Sequence, residues 1–176
     1  MKNFKLILIF ISSLICKDGR LRIIQAELME NKQVESQSVL ELTGNVILQK
    51  NNLFLYTDKA ANYANANVFV LSGPVTMIDS SDTMKCNNLS YFSDSLDFIL
   101  ATGNVNFRKP NELIKCDSLY FWTDIDSGIA IGNVNMDLEN RTISTDYIHY
   151  KETNGVQGIS FYAYRNVHIT EGNRII

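Results

Sequence analysis

Side chains that could carry chemistry return in this sequence at a nearly constant interval. Asp58, Asn87, Asp117 and Asp146 follow one another with a period of about 30 residues. Carboxylate and amide oxygens bind Ca²⁺, and paired carboxylates act as general acid and base. A calcium loop, however, needs several ligands within one short segment. We therefore interpret the series as turn residues that cap their own backbone and stack along one edge of the fold.

Other catalytic and metal-binding sites are not indicated, because the residues that could form them do not have the required spacing. His149 and His168 have no Cys or His at metal-ligand distance, and the three cysteines form no C-x-x-C pair. The sequence has no phosphate-binding glycine loop and no G-x-S-x-G turn. It therefore predicts a protein that is not an enzyme and that uses no metal or cofactor.

Length and charge further limit the kind of protein that this sequence can encode. The chain has 176 residues, 45% of them hydrophobic, which suits one domain with a sizeable core. Its net charge is −3 and its basic residues are scattered. Nucleic-acid surfaces need a basic stripe, so the sequence predicts no nucleic-acid partner.

A second series, of glycines, indicates the architecture that must position these residues. Gly44, Gly73, Gly103 and Gly132 each precede x-Val and recur with the same period, with an echo at Asn166-Val167. A fixed period of this length is typical of repeat architectures. Because an isolated Gly in a strand marks a bulge or bend, we expect the chain to pass between two sheets there, forming a ridge apart from the aspartate edge.

The segments between the glycines alternate between apolar and polar residues, as in Val134 to Leu138. This pattern is typical of antiparallel strands with one buried face, so the sequence predicts an all-β fold with almost no helix. A first strand is expected from Arg22 to Leu28, a loop from Met29 to Ser38, and a last strand near Asn166 to Thr170. The terminal edge would be free to pair with another chain unless the tail from Glu171 to Ile176 folds back over it.

The N-terminus has the features of an export signal. Lys2 and Lys5 precede an apolar run from Leu6 to Ile15, which is too short to span a bilayer. We expect residues 1–20 to be an export signal or short anchor and residues 21–176 to form a single domain. Lipidation at Cys16 remains an alternative.

Cys86 and Cys116 occupy the same position in two successive repeats. One strand per repeat would place them about 4.8 Å apart, within disulfide reach, whereas two strands would separate them by about 9.5 Å. The second geometry is favoured, so the sequence predicts two free thiols packed as small hydrophobic groups.

The repeated phrases resemble a known family. Glu41 to Val46, Asp58 to Tyr63, Leu71 to Val75 and Lys115 to Val134 are similar to the OstA-like repeat of the LptA family. The resemblance implies a twisted β-jellyroll, a V-shaped trough of antiparallel strands built from about five repeats, each of about 29–33 residues. It also implies periplasmic lipopolysaccharide transport, with lipid A acyl chains in the trough and pairing of edge strands with LptC-like and LptD-like domains or head to tail with further copies.

Twelve apolar residues are expected to line such a trough: Val46, Leu48, Val75, Met77, Val105, Phe107, Val134 and Met136, with Phe54, Val70, Leu100 and Ile131 opposite them. The same residues would also suit an ordinary sandwich core. Two alternatives therefore stay open. One is an LptC-like, membrane-anchored component of the same pathway, and the other is a structural envelope β-repeat protein without ligand.

Overall fold

The structure is a computed structural model, and it describes residues 20–34, 37–93, 97–152, 159–172 and 174–175. The expected export segment, residues 1–19, lies outside the described residues. Within them the chain forms thirteen strands and one 3-10 turn, Ala64–Ala66. The strands are β1 Arg22–Gln25, β2 Leu28–Val34, β3 Gln37–Lys50, β4 Leu53–Tyr63, β5 Val68–Asp79, β6 Asp82–Ser93, β7 Asp97–Lys109, β8 Glu112–Trp122, β9 Ser127–Leu138, β10 Arg141–Glu152, β11 Ile159–Tyr164, β12 His168–Glu171 and β13 Arg174–Ile175.

All thirteen strands belong to one sheet, and every pairing in it is antiparallel. From β3 to β10 each strand pairs with the next in the chain, so hairpin follows hairpin without a crossover. Short strands flank each end: β1 and β2 both pair with β3, β11 and β12 both pair with β10, and β13 pairs with β12. The predicted all-β, antiparallel fold is confirmed.

The N-terminal boundary differs from expectation. The expected strand from Arg22 to Leu28 is interrupted at Ala26 and Glu27, and much of the expected loop is the strand β2. All seven residues of β2 are exposed because this strand lies at the sheet edge with neither face covered. A strand in that position needs no apolar alternation, and hydrogen bonds to β3 suffice to hold it.

The repeated glycines are bulges, as the sequence predicts. Gly44 and Asn45 together oppose Asp58, since the β3–β4 register jumps from Thr43↔Lys59 to Val46↔Thr57. Both bulge residues have positive φ, 78° for Gly44 and 46° for Asn45. Glycine and asparagine tolerate this region best, which explains the recurring Gly-Asn pair. The register shifts again beside Gly73, Gly103 and Gly132.

The bulges divide every long strand into two segments, and the segments form two walls. Wall A consists of residues 37–43, 59–63, 68–72, 88–93, 97–102, 118–122, 127–131 and 147–152, with β2 and β11 beside them. Wall B consists of residues 46–50, 53–57, 75–79, 82–86, 105–109, 112–116, 134–138 and 141–145, with β1, β12 and β13 beside them.

The walls fold onto each other about the line of bulges. Leu71 in wall A and Met77 in wall B are both buried and belong to one continuous core. No other layer of secondary structure is described that could cover either face. The rings of Phe107 in wall B and Phe121 in wall A lie 5.0 Å apart, which shows the direct contact.

Candidate functional site

The interior between the walls is apolar along the whole sheet. In wall B a continuous cross-strand row is formed by Leu48, Leu55, Met77, Met84, Phe107, Ile114, Met136 and Ile143. Each member is at most 1% exposed. Wall A faces it with a row of smaller side chains: Leu42, Ala60, Leu71, Leu89, Ala101, Leu119, Ala130 and Ile148. Pairing large residues with small ones lets the two walls interdigitate.

Eight of the twelve predicted lining residues lie on this interior, and all eight belong to wall B. They are Val46, Leu48, Val75, Met77, Val105, Phe107, Val134 and Met136, each at most 2% exposed. Their side chains fill the space between the walls, so the structure shows this region as a packed core.

The other four predicted residues do not share that face. Successive residues of a strand point to opposite faces, and Leu55, Leu71, Ala101 and Ala130 point inward. Their neighbours therefore point outward, and Ile131 is 40% exposed. The four are Phe54, Val70, Leu100 and Ile131. The error arose because both faces are apolar in runs such as Val68 to Leu71, where alternation gives no direction.

The interior residues of wall A were missed for a related reason. A bulge inserts one residue, which suggests that the inward alternation of wall B is lost across it. The structure shows that the alternation is kept, because each inward residue of wall A before a bulge lies four residues before an inward valine of wall B: Leu42, Leu71, Ala101 and Ala130. Counting both residues of the Gly-Asn pair as ordinary positions from Val46 would have identified Leu42 as inward.

The edge of the trough away from the bulges, where the free ends of the two walls meet, is here called the mouth. Lys50 ends β3 in wall B, and its ammonium forms an ion pair with Asp97, which begins β7 in wall A. In a flat sheet these strands would lie about 19 Å apart, four strand spacings. The ion pair therefore exists because the walls meet. Lys109 Nζ makes a second one, 3.0 Å from Asp126 Oδ1.

A cavity of about 510 Å³ opens at this mouth. Wall B contributes the turn after β3 and the end of β5, and wall A contributes the ends of β6 and β8 and the start of β7. Its lining is polar, in contrast with the interior below it: Lys50, Asn51, Asn52, Leu53, Asp79, Tyr91, Ser93, Asp97, Thr123 and Asp124.

The aspartate series lies on the same edge as the glycines, which corrects the expectation of two separate edges. Asp117 sits against Gly132, and Asn133 Nδ2 donates to Asp117 Oδ2 at 2.8 Å. Asn166 Nδ2 donates to Asp146 Oδ2 at the same distance. The two residues of a bulge lie opposite one residue of the neighbouring strand, as Gly44 and Asn45 lie opposite Asp58. This arrangement places the glycine series and the aspartate series side by side. These bonds give Asp117 and Asp146 a structural role.

The remaining polar candidates form no catalytic arrangement. Ser127 Oγ lies 3.3 Å from His149 Nε2 and donates to the carbonyl oxygen of Tyr150 at 3.1 Å. Cys86 and Cys116 are free and buried, and burial raises the pKa of each thiol to about 12. Over the described ranges, no three His, Cys, Asp or Glu side chains gather as a metal site. Nor does that part of the chain contain a helix long and apolar enough to cross a membrane.

Comparison with known proteins supports the architecture. No protein-family model matches the sequence, and no curated protein matches it. Among solved structures, the fold is similar to LptH, the LptA-homologous periplasmic component of the lipopolysaccharide transport device from Pseudomonas aeruginosa. The match has a TM-score of 0.53 and 15% sequence identity, and it covers 64% of this chain and 94% of LptH. The chain therefore has the LptA-like β-jellyroll fold that its repeats predict.

Proposed function

We propose that this protein is a periplasmic, non-enzymatic component of lipopolysaccharide transport that carries lipid A acyl chains between its two walls. The observation that carries the proposal is the unbroken apolar interior from β3 to β10, in a fold similar to that of LptH. Residues 1–20 are then the export signal or short anchor, and residues 21–176 form the carrier domain.

Binding of acyl chains requires the walls to separate, because side chains fill the interior. The bulges form the closed edge, so separation begins at the mouth, where Lys50–Asp97 and Lys109–Asp126 join the two walls. Each methylene group that enters the interior from water gains about 0.8 kcal/mol. This gain offsets the loss of contacts between the walls and needs no local energy-consuming chemistry.

The partners in this proposal are lipopolysaccharide and other jellyroll domains. The strands at each end of the sheet, β2 at the N-terminal end and β11 at the C-terminal end, each pair on one side only among the described strands. Edge strands present unpaired backbone groups to another chain. LptC-like and LptD-like domains, or a second copy of this chain, would extend the sheet there.

Photocrosslinking tests the carrier role in cells that make lipopolysaccharide. A photoreactive amino acid replaces Phe107 or Met136 in the interior, and matched controls carry it at the outward neighbours Asn106 and Asp137. We expect lipopolysaccharide adducts at the two interior positions and none at the controls. Absence of adducts at all four positions in folded, exported protein would reject the carrier role.

A structural envelope protein is the second candidate, and the same interior favours it. Residues such as Leu48, Met84 and Met136 are 0% exposed, as in an ordinary sandwich core. A permanently filled core would give no adducts, and purified protein would contain no lipid. Lipid extraction followed by mass spectrometry thus separates the two candidates independently.

A further inference from the structure

The cavity at the mouth has a charge imbalance that the ion pair does not remove. Three carboxylates and one ammonium line it, a formal excess of two negative charges. Lys50 is paired with Asp97, which leaves Asp79 and Asp124 as the excess. These two residues come from opposite walls, so the cavity is negative on both sides.

Tyr91 gives the cavity a polar group without a partner. Its side chain is 0% exposed and lines the cavity, and its hydroxyl has no hydrogen-bond partner among the described residues. A buried hydroxyl without a partner costs free energy, so a ligand that bonds to it gains more than the same bond would give in water. Burial, and next the charges of Asp124 and Asp79, raise the pKa of Tyr91, which keeps the phenol neutral.

The remaining lining groups suit a ligand with several hydroxyls. Asn51 and Asn52 offer both amide donors and carbonyl acceptors, and Ser93 and Thr123 offer hydroxyls. At about 510 Å³ the cavity lies within the range of small-molecule sites, about 300–1,000 Å³.

We propose that the mouth cavity binds a protonated amine on a hydroxylated group, such as an amino sugar with a free ammonium. The ammonium donates to Asp79 and Asp124, and a ligand hydroxyl bonds to Tyr91. A metal ion is a poorer match, because the described carboxylates form no cluster of the kind that holds one. A phosphate is repelled by the excess negative charge.

Titration of the full-length protein with free glucosamine tests this site, with N-acetylglucosamine as the matched probe that lacks the charge. Calorimetry in mildly acidic buffer keeps the glucosamine amine protonated. Hydrogen bonds to charged groups contribute enough for us to expect about tenfold or more tighter binding of glucosamine. Equal affinity for the two sugars, or no binding of either, would overturn the proposal.

Two variants and one control locate the ligand. Asp124→Asn removes one charge and should weaken glucosamine binding about tenfold, with little effect on N-acetylglucosamine. Tyr91→Phe removes a hydroxyl that has no partner, so the fold should be retained while both sugars bind more weakly. Asp58→Asn changes an exposed carboxylate at the opposite edge and should bind like the wild type. Unchanged glucosamine affinity in Asp124→Asn would place the ligand elsewhere.

The result is independent of the carrier role, because free sugars carry no acyl chain. Failure of the titration would remove the amine site and leave the crosslinking outcome at Phe107 and Met136 unaffected. Failure of the crosslinking would leave a cavity that binds amino sugars in a protein with a permanently filled core.

Discussion

At the scale of single residues, three of the four bulges are built on a Gly-Asn pair in which both residues have positive φ, and the fourth has only Gly73 with positive φ. Gly132 and Asn133 have φ values of 77° and 47°, and Gly103 and Asn104 have 75° and 52°. Asn133 adds a side-chain bond to Asp117 on the next strand. Each pair therefore bends its strand, and Asn133 also ties its strand to the neighbouring one.

Replacing Gly132 by alanine should destabilise the protein more than the same change at Gly73. Both glycines have positive φ, which costs alanine about 1–3 kcal/mol. At Gly132 the added Cβ would also clash with Asp117 Oδ2, whereas at Gly73 it would meet nothing within 4 Å. Urea denaturation of both variants measures the difference. Equal losses would show that Asp117 moves aside at no cost.

The two buried cysteines should resist thiol reagents in the native state. Only a thiolate reacts, and burial raises the pKa of Cys86 and of Cys116 to about 12. In protein without residues 1–20, which removes Cys16, a colorimetric thiol assay should detect neither residue in buffer and both in concentrated urea. Rapid modification of folded protein would mean that wall B opens often enough to expose them.

At the scale of strands and turns, sequence patterns predicted the features that have a local cause. The Gly-Asn bulges can be predicted from the sequence because positive φ favours those residue types. The inward row of wall B can be predicted because apolar and polar residues alternate without a break from Val134 to Leu138. Strand β2 could not be predicted from the sequence, because an edge strand exposed on both faces needs no alternation of apolar and polar residues. The outward direction of Leu100 and Ile131 could have been predicted, because these residues lie five and three positions before the inward Val105 and Val134, and odd spacings in a strand point to opposite faces.

The turn between β5 and β6 should make stability depend on pH through Asp82. Burial raises the pKa of Asp82 above its ordinary value of 3.8. The folded state therefore holds this proton more tightly than the unfolded state, so stability from this group is present below pH 3.8 and is lost as the pH rises through the folded pKa.

Asp82→Asn should accordingly stabilise the protein at neutral pH relative to the wild type, and the advantage should shrink in acid. Urea unfolding at several pH values measures it, with the exposed Glu139→Gln as the matched control. An advantage that does not change with pH would show that the charge of Asp82 is not its cause.

At the scale of the whole molecule, two walls meet through contacts that local sequence does not reveal. Lys50 and Asp97 are distant in the sequence and belong to different walls, yet their side chains are only 14% and 9% exposed. No motif marks them as partners, because the pairing arises only after the sheet folds over. The mouth cavity was missed for the same reason.

A double-mutant cycle on this pair should show coupling between the walls. Asp97→Asn leaves Lys50 without its paired carboxylate, but Asp79 and Asp124 still line the same cavity, so we expect a loss of about 1–3 kcal/mol, less than for a fully buried pair. With Lys50→Gln as the second variant, we expect a coupling energy of about 0.5–3 kcal/mol from urea unfolding. The exposed pair Lys32–Glu41, at 47% and 40% exposure, is the control and should couple by about 0–1 kcal/mol. Equal coupling in both pairs would mean that the mouth is as open to solvent as the surface.

The constant repeat period has a consequence for size. Each copy adds two neighbouring strands, about 9.5 Å along the sheet, and leaves the cross-section between the walls unchanged. The interior is therefore a packed core whose length is counted in whole copies. Duplication or loss of one copy would lengthen or shorten the molecule by about 9.5 Å, the width of two strands.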